Sequence, residues 1–138
     1  MSHRPLALLA IVAFGLAATS FAEAASPRPG NAVQIVKAFY ADVNANRIDK
    51  AMRYVAPTAV FINPIGKYTG KPAIRAFLQR GASEGIVFEH TNFRVHGGRV
   101  VYDFRVKQNS SIVAAGKDGL TVVKAGKIVF DGTEATEP

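Results

Sequence analysis

Apolar positions recur at helical spacing up to about residue 85 and with a period of two after it. Val33, Val36, Phe39, Tyr40 and Val43 predict an amphipathic helix over residues 32–45, with Asn31 as its N-cap. Ile48, Ala51, Met52 and Val55 predict a second, short helix. It closes before Pro57, because a residue preceding proline avoids the helical region. Ala59–Ile62, β-branched and aromatic, reads as a strand. Pro64, Gly66 and Gly70 mark turns. Pro72 suits the first turn of a third helix, whose stripe is Ala73, Ile74, Phe77 and Leu78 and whose end is bracketed by Gly81 and Gly85.

Residues 86–95 then read as a strand, with a phase slip near Thr91-Asn92 that predicts a bulge. His96-Gly97-Gly98-Arg99 is a hairpin turn. Val100, Tyr102, Phe104 and Val106 alternate with Val101, Asp103, Arg105 and Lys107, giving a strand with one buried and one wetter face. A turn at Asn109-Ser110 follows. Ile112–Ala115 and Leu120–Val123 read as strands interrupted by Gly116–Gly119. Lys124–Lys127 is a turn, and Ile128–Phe130 opens a last strand. Helix, helix, strand, helix, then a four-strand meander is an α+β order with segregated helices.

The first residues follow a different logic. A polar, positive start (Ser2-His3-Arg4), a 13-residue apolar run (Leu6–Ala18) and Ala22-Glu23-Ala24 predict a secretory signal peptide over residues 1–24, cut after Ala24. The run is too short for a membrane-spanning helix, which needs about 20 apolar residues. Residues 25–31 are a Pro- and Gly-bearing lead-in, and residues 32–138 form one domain, exported to the periplasm or secreted. No membrane association is expected after cleavage. Removal takes away one base, Arg4, and one acid, Glu23, so the net charge stays at +7. The bases are scattered rather than blocked, which fits a solvated surface and not a nucleic-acid partner. There is no cysteine, so the fold rests on its core alone.

The stretch Thr58–Leu78, the phrase Ala38–Met52 and Gly126-Lys127-Ile128-Val129, taken in order, resemble the SnoaL-like branch of the nuclear transport factor two-like superfamily. The resemblance covers about residues 32–130. It implies a cone: a curved, mostly antiparallel sheet wrapped on three N-terminal helices, around a mostly apolar pocket, and a homodimer packed through the sheet's outer face. Ketosteroid isomerase relatives carry a catalytic aspartate at the end of the first strand, where this chain has Asn63. The resemblance places their first-helix tyrosine at Phe39, one residue from Tyr40, and their second acid near Gly119, beside Asp118. An amide does not titrate in this range, so isomerase-type proton transfer through Asn63 is not expected.

Asn63 shares strand parity with Phe61, which points its side chain at the pocket. It also precedes Pro64 and can bond its own backbone as an Asx turn. Both readings stand on the sequence. His90 is the one imidazole that faces the pocket if the strand phase before the bulge holds, the alternative being a partly buried histidine with a structural hydrogen bond, whereas His96 sits at a turn. The two are too far apart along a strand for one metal, and no metal or cofactor is expected. The pocket candidates are Asn63, Tyr40, Phe61, His90, Tyr102 and Phe104. The chain therefore reads as an exported binder of a small, mostly apolar molecule. The alternative is a non-catalytic dimerisation or interaction module with a filled cone.

Overall fold

The computed structural model describes residues 31–138. The predicted signal peptide and nearly all of the lead-in lie outside these residues. Helix α1 (Ala32–Asn44) opens on Asn31, whose side chain accepts from the Gln34 N–H at 3.2 Å. Its buried stripe, Ile35, Val36, Phe39, Tyr40 and Val43, faces the sheet. Phe39 has no exposed surface and packs edge-on to Phe61, with ring centroids 5.9 Å apart.

The second helix is shorter than its pattern predicts. Helix α2 (Ile48–Ala51) passes into a 3₁₀ turn (Met52–Tyr54), and strand β1 (Val55–Asn63) begins two residues before Pro57. Pro57 is exposed, and the pairing slips between Val55 and Val60, so the missing proline N–H falls at an irregularity. Strand β2 (Gly66–Thr69) is an element that the turn signals hid. It folds back on β1, pairing Phe61 with Tyr68. Helix α3 (Lys71–Ser83) carries Pro72 in its first turn and buries Ile74 and Leu78. It runs through Gly81, and the chain turns at Gly85 with φ +76°.

Strands β3 (Ile86–His96), β4 (Arg99–Gln108), β5 (Ser111–Lys124) and β6 (Lys127–Thr133) complete one six-stranded sheet in the order β2-β1-β6-β5-β4-β3. All neighbours are antiparallel except β1 and β6. The bulge predicted near Thr91-Asn92 is present, with Asn92 at φ 55°. The interruption expected at Gly116–Gly119 is a slip in the β4–β5 pairing between Tyr102 and Phe104, within a β5 that stays one strand. The glycines are there because rings lie on them. A Cβ at Gly116 would sit 2.8 Å from the Phe104 ring, and one at Gly119 would collide with Tyr102. Strand β6 runs past Phe130 to Thr133, which brings Asp131 into the sheet opposite Thr121. After β6 a 3₁₀ turn (Glu134–Thr136) leads to Glu137, which takes both ends of the Arg99 guanidinium at 3.1 and 2.6 Å. The curved sheet and three helices form the α+β cone that the family resemblance implies.

Candidate functional site

The helix-facing side of the sheet gathers polar groups that lie far apart in sequence. Asp131, on β6, accepts from the Tyr40 hydroxyl of α1 and from the Thr121 hydroxyl of β5, each at 2.7 Å on Oδ2. The Tyr102 hydroxyl of β4 lies 2.7 Å from that of Thr121. Since Thr121 gives its proton to Asp131, Tyr102 must donate to Thr121. The chain of donation runs Tyr102 to Thr121 to Asp131, and Tyr40 joins from the other side. Tyr40, Tyr102 and Thr121 are buried. Burial pushes the Asp131 carboxyl up to about 6, while the bonds from Tyr40 and Thr121 pull it the other way. Burial, then the charge of Asp131, raises both tyrosine hydroxyls well above their ordinary value.

His90 stands on β3 between the two tyrosine rings. Its centroid is 4.1 Å from Tyr40 and 4.5 Å from Tyr102, the latter edge-on. Burial lowers its pKa to about 4, so the imidazole is neutral at physiological pH. A groove of about 300 Å³ opens beside it, lined by Val36, Lys37, Tyr40, Ala41 and Asn44 of α1 and by Phe88, His90 and Phe93 of β3. The α1 residues follow helical spacing, so one face of one helix forms the wall. Asn44 fixes the strand to the helix, donating to the Phe88 carbonyl at 2.7 Å and accepting from its N–H at 2.9 Å. His90 also lines a wider cleft of about 770 Å³ with Phe104 and Gly116.

Of the residues singled out from sequence, Tyr40, His90 and Tyr102 come together. Phe104 lines the wider cleft, and Phe61 packs in the core against Phe39. Asn63 is elsewhere. Its amide oxygen accepts from the Ile65 and Gly66 N–H groups at 2.8 and 3.1 Å, closing the β1–β2 turn. Asp118 is exposed, and Gly119 makes room for Tyr102. The two residues that sequence reasoning missed are Asp131 and Thr121. The signal was present: a buried tyrosine hydroxyl on α1 needs a partner, and Asp131 falls on a strand position one register from Phe130. With only Ile128–Phe130 read as the opening of the last strand, Asp131 has no place in the sheet.

The profile of the SnoaL-like domain family matches residues 36–130. The chain belongs to the SnoaL-like domain family. Solved structures of the same fold include an NTF2-like protein of unknown function from Cytophaga hutchinsonii. It is 15% identical, with a TM-score of 0.65 over 78% of this chain and 91% of that one. A putative polyketide cyclase from Sinorhizobium meliloti is 18% identical, with a TM-score of 0.63 over 73% and 94%. An LEH-like epoxide hydrolase from M. tuberculosis is 17% identical, with a TM-score of 0.58 over 79% and 86%. No curated protein sequence matches this one. At these identities the structures speak for the fold alone.

Proposed function

We propose that this SnoaL-like protein is exported and binds a small, mostly apolar molecule in the groove between α1 and β3. The observation that carries the reading is the neutral His90 imidazole, clasped between Tyr40 and Tyr102 and opening onto a wall of Val36, Phe88 and Phe93. An apolar enclosure with a few placed polar groups is the usual composition of a ligand pocket. Here His90 supplies a hydrogen-bonding nitrogen without a charge to desolvate. The exposed Ile112 and Val113 of β5 support association with a second copy of the chain, which sedimentation would measure.

Thermal stabilisation by an uncharged aromatic probe, 2-naphthamide, tests the binding reading. Ala41 is exposed and lines the groove, so Ala41→Trp fills it from the helix surface. The stabilisation of the wild type should grow with the logarithm of ligand concentration above Kd, and Ala41→Trp should not be stabilised. Stabilisation that survives Ala41→Trp would move the ligand elsewhere. No stabilisation by naphthamide or other apolar compounds would favour the filled-cone module, which the packed interior around Phe39, Phe61 and Tyr102 supports.

A catalytic reading draws support from Asp131. A carboxyl near 6, joined by hydrogen bond to a groove-lining tyrosine, can hold or release a proton near neutrality. Polyketide cyclase and epoxide hydrolase are among the names borne by structures of this fold. Turnover of a bound ligand that disappears in Asp131→Asn while binding persists would establish it.

A further inference from the structure

The groove between α1 and β3 has a charge balance that its apolar walls do not require. Among its lining residues, Lys37 alone carries a full charge at neutral pH, and no carboxylate lines it. His90 is neutral there. The Lys37 ammonium lies 5.0 Å from the Phe93 ring centroid, within cation–π reach, so the charge is held over the groove wall. Lys37 enters no ion pair among the described residues. The acids of the two elements that form the groove are engaged elsewhere. On α1, Asp42 pairs with Arg47 at 3.1 Å, and on β3, Glu89 pairs with Lys107 at 3.0 Å. Behind Tyr40, Asp131 accepts the two hydroxyls described above.

We propose that this groove selects a small anionic ligand, a compact ring or short hydrocarbon bearing one carboxylate. Its apolar body lies against Tyr40, Phe88 and Phe93, and its carboxylate meets the Lys37 ammonium. The proposal rests on the groove being the binding pocket and names the chemical class of its ligand. A neutral ligand satisfies the walls but leaves Lys37 to water, and a cation is repelled. The volume, about 300 Å³, is at the small end of ligand pockets and excludes bulky bodies.

Calorimetric titration of the purified protein with 2-naphthoate and with 2-naphthamide, which share a ring system and differ in charge, tests it. The carboxylate should bind about three- to tenfold more tightly at low salt, the range of a partly exposed charge-assisted contact. The gap should narrow as ionic strength rises. Lys37 is exposed on the helix surface, so its replacement leaves the core intact. Lys37→Gln should weaken naphthoate alone and close the gap, and Lys37→Arg should restore it. Equal affinities for the two compounds, or a gap that survives Lys37→Gln, would overturn anion selection while leaving the pocket in place. No binding of either compound would remove the pocket reading and this proposal together.

Discussion

Asn63 and Asp131 lie on neighbouring strands, yet their polar groups meet opposite fates. Strand β1 runs parallel to β6, and Phe61, two residues before Asn63, stands in register with Asp131. Asn63 spends its amide oxygen on two N–H groups within three residues of itself. Asp131 receives hydroxyls from α1 and β5, 91 and 10 residues away. The first arrangement is local and would hold in many folds. The second exists only when helix, sheet and register are all in place. A polar residue whose partners are local closes a turn, whereas one whose partners are remote reports on the assembled site.

Removing the remote hub should therefore cost most. Asp131→Ala leaves the Tyr40 and Thr121 hydroxyls without their acceptor in a buried setting, and each such group costs about 1–3 kcal/mol. A total loss of ~3 kcal/mol is expected in chemical denaturation. A loss under about 1 kcal/mol would mean that the hydroxyls have other partners and that the contrast with Asn63 is false.

The pH dependence sharpens the same contrast. Asp131 titrates at about 6 in the fold against an ordinary 3.8. Between these values the folded state holds a proton that the unfolded chain has lost, so stability falls as pH rises through the interval. His90 titrates at about 4 against an ordinary 6.5. There the unfolded chain holds the extra proton, and stability rises with pH over nearly the same interval. Each effect is on the order of 3 kcal/mol, and they oppose each other. Relative to wild type, His90→Gln should lose stability as pH rises from 4 to 6, and Asp131→Asn should gain it. Parallel profiles for all three proteins would show that neither group is held as described.

The local side of the comparison predicts smaller changes. Asn63→Ala loses two turn-closing bonds at a partly exposed site and should cost ~1 kcal/mol, with ligand binding unchanged. Asn63→Asp keeps the accepting oxygen and should stay within about 0.5 kcal/mol of wild type. It should also fail to convert 3-keto steroids to conjugated enones, because the new carboxylate would face its own backbone. Enone absorbance in that variant would place Asn63 at the pocket after all.

Most of the fold was legible because the hydrophobic period announces it: the stripe of α1, the alternation of β4 and the bulge at Asn92 all carry local signals. Strand β2 escaped because Gly66-Lys67-Tyr68-Thr69 is short and follows Asn63-Pro64, so turn chemistry masked it. The unity of β5 escaped because glycines read as breaks, whereas here they accept the rings of Tyr102 and Phe104 from the next strand. Tyr40, His90 and Tyr102 could be nominated from face and period. Their hub could not, since Thr121 and Asp131 acquire meaning only from the β5–β6 register. For Asn63 the sequence offered two readings, and the β1–β2 turn, invisible without β2, decides where its amide points.

Amide chemical-shift mapping with 2-naphthamide tests the central claim most directly. The account predicts the largest shifts at Ala41, His90 and Phe93, around the groove, and none above noise at Ile65 and Gly66. Shifts centred on the Asn63 turn, with the α1–β3 groove silent, would contradict it.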